Sequence, residues 1–156
     1  MAKVTKMKVK VLIAAVILGA VVWAACNKNT FATTPKLVFK GINGNEFVQN
    51  QLVNFDLQVT DKEGDLQDSM IFVQRVSLVC PDLNFTQGYD IPTNVKKANL
   101  KADLSVTFIY GNPDGYHTQL EACSQKTDTA YFRFWIKDNA GHVSDTVESP
   151  KIVLIK

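Results

Sequence analysis

The chain has 156 residues, enough for one ordinary domain and a leader. Its 17 basic and 15 acidic residues look balanced, but four lysines (Lys3, Lys6, Lys8 and Lys10) fall in the first ten positions and no acid precedes Glu46. Beyond residue 25 the balance is 13 basic against 15 acidic residues, a net charge of −2, which excludes the basic block that nucleic-acid binding requires.

The first segment has three parts: the lysine-rich start, an uncharged apolar run over residues 11–25 (VLIAAVILGAVVWAA), and Cys26. Fifteen helical residues reach about 22 Å, short of the roughly 30 Å hydrocarbon core that a spanning helix must cross. A positive start, a short apolar helix and small residues before a cut form the pattern of a signal peptide, expected here over residues 1–25. The residues Trp23-Ala24-Ala25-Cys26 resemble the lipobox of bacterial lipoproteins, with Trp23 where an aliphatic residue is usual. The resemblance implies that Cys26 carries the lipid, palmitate among its acyl chains, and holds the protein on a membrane. An uncleaved anchor helix and an ordinary signal peptide cut near Ala25 are the alternatives. Residues 26–35 then read as the lipidated cysteine and a flexible tether, polar and rich in Thr and Asn. Asn27 stands where an aspartate would retain some lipoproteins in the inner membrane. The expected location is therefore the outer membrane of the cell envelope, with both of its faces open.

From Lys36 onward a period of two dominates. Val53, Phe55, Leu57 and Val59 alternate with Asn54, Asp56, Gln58 and Thr60, as in a strand with one buried face. Ala130, Phe132, Phe134 and Ile136 repeat the pattern against Tyr131, Arg133, Trp135 and Lys137. Further strands are expected over residues 36–42, 70–80, 104–110, 116–120 and 143–155, the last broken at Pro150. Turn signals separate them: Asn43-Gly44-Asn45, Glu63-Gly64-Asp65, Asn112-Pro113-Asp114-Gly115 and Asp138-Asn139-Ala140-Gly141. Residues 81–102 are the least patterned and read as a long crossover or short edge strands. About seven short strands with punctuating turns predict an all-β fold over residues 36–156, an antiparallel β-sandwich of the immunoglobulin-like kind.

Two stretches carry a family resemblance. Residues 131–144 (YFRFWIKDNAGHVS) resemble the last hairpin of bacterial immunoglobulin-like and PKD-like domains, and residues 55–66 (FDLQVTDKEGDL) are similar to a strand-and-turn segment common in Bacteroidota lipoproteins. The resemblance implies a sandwich and assigns no activity, because one fold hosts many functions. The antibody pattern of Cys, Trp and Cys is missing, since Trp135 follows both domain cysteines.

Several residues are candidates for chemistry. Cys80 and Cys123 are the only thiols of the domain; they form either one disulfide, which the envelope permits, or two separate thiols. Acids gather at two turns: Asp61, Glu63, Asp65 and Asp68 in one, Asp138 in the other. With the strands numbered as in an immunoglobulin domain, these turns share one end of the sandwich. There Asp61, Glu63, Asp65 and Asp138 either hold calcium, which prefers hard oxygen ligands, or serve only as turn formers. The spacing is not that of an EF-hand loop, because Gly64 falls where a ligand belongs. Tyr110, Tyr116 and His117 flank the NPDG turn and form either a platform for a sugar or a set of cross-strand packing partners. His117 and His142 have no metal-ligand spacing, no serine lies in a nucleophile elbow, and neither thiol has a histidine nearby.

The expectation is therefore a non-enzymatic envelope lipoprotein. It meets the membrane through its lipid and uses the sandwich as a binding or structural module toward an envelope protein or a glycan. A glycan-binding accessory of an outer-membrane uptake system is the second reading. No cofactor is expected other than the calcium of the acidic turns.

Overall fold

The computed structural model describes residues 32–67, 69–91 and 97–156. The expected signal peptide over residues 1–25, Cys26 and most of the segment read as a tether lie outside these residues, as does Asp68.

The alternating segments form strands because alternate positions have a common inner surface to fill. β3 (Leu52–Asp61) buries Val53, Phe55, Leu57 and Val59 completely and turns the intervening residues outward. β8 (Asp128–Lys137) does the same with Ala130, Phe132, Phe134 and Ile136. The two inner faces meet through aromatic rings: Phe55 lies 4.7 Å from Phe132, 5.2 Å from Phe134 and 6.2 Å from Phe108 between centroids. Tilted and edge-on rings at these distances add to the burial of their area.

Around these two strands stand β1 (Lys36–Ile42), β2 (Glu46–Phe47), β4 (Met70–Ser77), β5 (Phe85–Asp90), β6 (Leu100–Tyr110), β7 (Thr118–Leu120), β9 (Val147–Glu148) and β10 (Ile152–Leu154). One sheet has the order β1-β3-β6-β7; the other runs β2-β10-β8-β4-β5, with β9 also on β8. In the immunoglobulin plan, β1, β3 and β6 take the places of strands A, B and E. β4, β5, β8 and β10 take those of C, C′, F and G. The chain changes sheet between β1 and β2.

The all-β sandwich stands as read from the sequence, and the expectation that it is purely antiparallel is corrected. β2 runs parallel to β10 and β7 parallel to β6. Strand count also differs, ten among the described residues where about seven were expected. The surplus is β2, the edge strand β5, and the division of the expected strand over residues 143–155 into β9 and β10. Residues 81–102 contain a 3₁₀ turn at Pro81–Leu83 and the edge strand β5. β6 opens at Leu100, four residues earlier than expected, because Lys101 and Asp103 face outward there. The break at Pro150 holds, between β9 and β10.

Candidate functional site

Polar groups concentrate at the two ends of the sandwich. At the end where β3 and β8 finish, the strand period itself delivers the carboxylates. Asp61 follows Val59 on the inward face, and Asp138 follows Ile136 one residue past the end of β8. Both are buried, Asp61 with no exposed surface at all. Each then closes its own turn. Asp61 Oδ2 accepts from the N–H groups of Gly64 (2.5 Å) and Asp65 (3.3 Å). Asp138 Oδ1 accepts from the His142 N–H (2.7 Å), and its Oδ2 lies 2.9 Å from His142 Nδ1. Gly64 is required at its position: its φ is +65°, and a Cβ there would lie 1.9 Å from the Lys97 carbonyl oxygen.

Asp65 joins the two turns. Its carbonyl accepts from the Asn139 N–H (3.4 Å) and from the Ser69 hydroxyl (3.2 Å). One carboxylate oxygen from each of Asp61, Asp65 and Asp138 lies within 4.8 Å of the others. Asp61 Oδ1 and Asp65 Oδ1 are buried and receive no hydrogen bond. Burial pushes the Asp61 carboxyl up; the Gly64 N–H opposes this, and the negative charges of Asp65 and Glu63 reinforce it. His142 is raised above 6.5, first by its hydrogen bond to Asp138, then by the Asp138 charge, with smaller help from Asp65 and Glu63. Of the four acids expected to converge, the structure brings together Asp61, Asp65 and Asp138. Glu63 is exposed and stands outside the group.

The opposite end is organised around a buried ion pair that the motif reading missed. Arg75 lies in β4 at an inward position, in register with Ile71 and Val73, and is 1% exposed. Its Nη2 donates to Asp128 Oδ2 (3.0 Å) and its Nη1 to the Glu121 carbonyl (2.9 Å). Asp128 Oδ1 accepts from the Ser77 hydroxyl (2.8 Å) and the Val79 N–H (3.2 Å). The Ser77 hydroxyl in turn accepts from the Cys80 N–H (2.8 Å). The sequence signal was available: an arginine on the apolar register of a strand needs a buried acceptor. Beside this network Cys80 and Cys123 are joined in a disulfide, with Cα atoms 6.0 Å apart.

Tyr110 and Tyr116 do not form a common platform, which corrects the sugar reading at that place. Tyr110 is 0% exposed because it continues the inward face of β6 past Phe108, whereas Tyr116 is 92% exposed in the following loop. His117 serves the turn, its N–H donating to Asp114 Oδ1 (2.8 Å) and its Nδ1 lying 2.6 Å from Asp114 Oδ2.

The outward face of the second sheet carries a different aromatic surface. Phe72 and Trp135 stack with centroids 5.4 Å apart and planes 6° from parallel, and the Arg133 guanidinium lies 5.4 Å from the Tyr131 ring centroid. An open groove of about 550 Å³ follows, lined by Gln74, Arg133, Trp135, Val143, Thr146 and Glu148. Arg133 Nε donates to Glu148 Oε1 (2.7 Å) within it.

No protein-family model and no curated protein matches this chain. Among solved structures the fold is similar to the sporulation control protein Spo0M from Bacillus subtilis, at 10% identity and a TM-score of 0.46, over 80% of this chain and 51% of that one. It is also similar to the alkylpurine DNA glycosylase AlkC of Pseudomonas fluorescens bound to DNA containing an abasic site analog, at 6% identity and a TM-score of 0.44. That match covers 80% of this chain and 31% of the glycosylase. This chain thus spans about half the length of the first protein and a third of the second.

Proposed function

We propose that the protein is a non-enzymatic lipoprotein of the cell envelope, anchored in the outer membrane through Cys26, whose sandwich is a binding or structural module. The observation that carries this reading is Trp23-Ala24-Ala25-Cys26, placed directly after the short apolar run of residues 11–25. The Cys80–Cys123 bridge supports it, since disulfides persist in the oxidising compartments to which a signal peptide leads. The buried Arg75–Asp128 pair supports a structural role for its end of the sandwich, because Asp128 spends both oxygens on neighbouring donors. Metabolic labelling with a palmitate analogue tests the anchor. The wild-type protein takes up label and Cys26→Ala does not; equal labelling of both overturns the reading.

A glycan-binding accessory role is the second reading, and it moves from the NPDG turn to the groove beside Trp135. An indole flanked by Gln74, Arg133 and Glu148 offers an apolar face and hydrogen-bonding groups together, the combination a sugar ring uses. Retention on a glycan array that Trp135→Ala abolishes supports this role. Retention unchanged by that substitution, or no retention at all, removes it.

A further inference from the structure

We propose that Asp61, Asp65 and Asp138 bind one calcium ion at the end of the sandwich where β3 and β8 finish. Two observations meet there. The first is the convergence of three carboxylates from two separate turns, with one oxygen of each within 4.8 Å of the others. Two oxygens that each lie about 2.4 Å from a common calcium ion are separated by at most about 4.8 Å, so every pair in the triad meets this necessary condition for sharing one.

The second observation is independent of that clustering. Asp61 is completely buried, and its Oδ1 receives no hydrogen bond; Asp65 Oδ1 is likewise buried and unpartnered. A carboxylate oxygen withdrawn from water needs a donor or a cation, and the nearby donors are already committed. The Gly64 and Asp65 N–H groups go to Asp61 Oδ2, and His142 spends its N–H and its Nδ1 on Asp138. Among the described residues, no lysine or arginine is paired with any of the three aspartates.

The donor set selects the class of ion. Three carboxylates supply hard oxygen ligands in a cluster of high negative charge, which suits calcium, with water completing its coordination. Zinc prefers nitrogen and sulfur, and the one histidine beside the cluster faces Asp138. Ligands from the β3–β4 turn and from the turn after β8 would let the ion clamp two segments that are far apart in the chain. The proposal does not depend on the lipid anchor.

The test uses the full chain, purified in detergent and stripped with chelator, then titrated with calcium chloride by calorimetry and melted with and without the ion. One ion per chain is expected, with the melting midpoint rising by about 5 °C for each tenfold excess over the dissociation constant. Asp65→Asn is expected to weaken binding on the order of tenfold or more. Glu63→Gln, exposed and outside the triad, leaves it within about twofold. Should Asp65→Asn fail to fold by circular dichroism, the wild-type titration still decides. Coincident melts and no heat on calcium addition overturn the proposal, as does calcium binding that Asp65→Asn leaves unchanged or stoichiometric uptake of zinc in preference to calcium.

Discussion

Replacing Asp128 with alanine is expected to be the most damaging polar substitution in the domain. The carboxylate has no exposed surface and serves three donors: Arg75 Nη2, the Ser77 hydroxyl and the Val79 N–H. Its removal leaves the Arg75 guanidinium inside the protein with only the Glu121 carbonyl as an acceptor. Breaking a buried pair from one side costs about 3–5 kcal/mol, because the partner's charge remains without compensation. That is a large share of the roughly 5–15 kcal/mol that stabilises a domain of this size. The assay is urea unfolding with the disulfide intact. At a slope of about 2 kcal/mol per molar urea, the midpoint falls by roughly 2 M at unchanged slope. Arg75→Met alone leaves a buried carboxylate with two neutral donors, while Arg75→Met with Asp128→Leu removes both charges and is expected to recover much of the loss. The double substitution is therefore less damaging than the sum of the single ones. A cost below about 1 kcal/mol for Asp128→Ala, or strict additivity in the cycle, refutes the reasoning.

Gly64→Ala places a β-carbon against the Lys97 carbonyl at positive φ and is expected to cost at least about 2 kcal/mol in the same urea assay; wild-type stability refutes the close approach. Removing the disulfide by the pair Cys80→Ala and Cys123→Ala opens a loop closed across 43 residues and is expected to cost about 4 kcal/mol from chain entropy. An unchanged unfolding midpoint would show that the bridge contributes nothing. The Asp114 carboxyl is held down to about 2 by the His117 N–H, the His117 ring and the Tyr116 N–H. With a depressed pKa, its contribution is present above the ordinary carboxylate range and is lost as pH falls through about 2. Carbon-detected NMR titration of the side chain reads this directly, and a midpoint near 3.8 refutes it.

The acidic end was legible from the sequence because it depends on local rules. Asp61 extends the alternation of β3 and Asp138 extends that of β8, so each carboxylate turns inward, and a glycine follows each within a turn. The immunoglobulin strand order then places both turns at one end. Glu63 reads as equivalent to Asp65 in the sequence, yet it falls on the outer side of its turn, a matter of backbone direction within four residues. The tyrosines misled for a related reason. Residues flanking a turn look exposed, but Tyr110 still belongs to the buried face of β6. The Trp135 groove could not be read at all, because it is built from residues of β4, β8 and the segment after β8 that touch only when the sheet forms.

Hydrophobic alternation determines by itself which residues face inward, since the period of a strand is a property of its backbone. It therefore settled the all-β class and the inner faces of β3 and β8. Pairing partners, by contrast, depend on where distant segments meet. Only the tertiary structure decided that β2 and β7 join parallel, that Arg75 finds Asp128 53 residues away, and that Cys80 bonds Cys123. The physical reason is that a buried charge or a free thiol announces a need for a partner, while the packing of the two sheets chooses which one it meets.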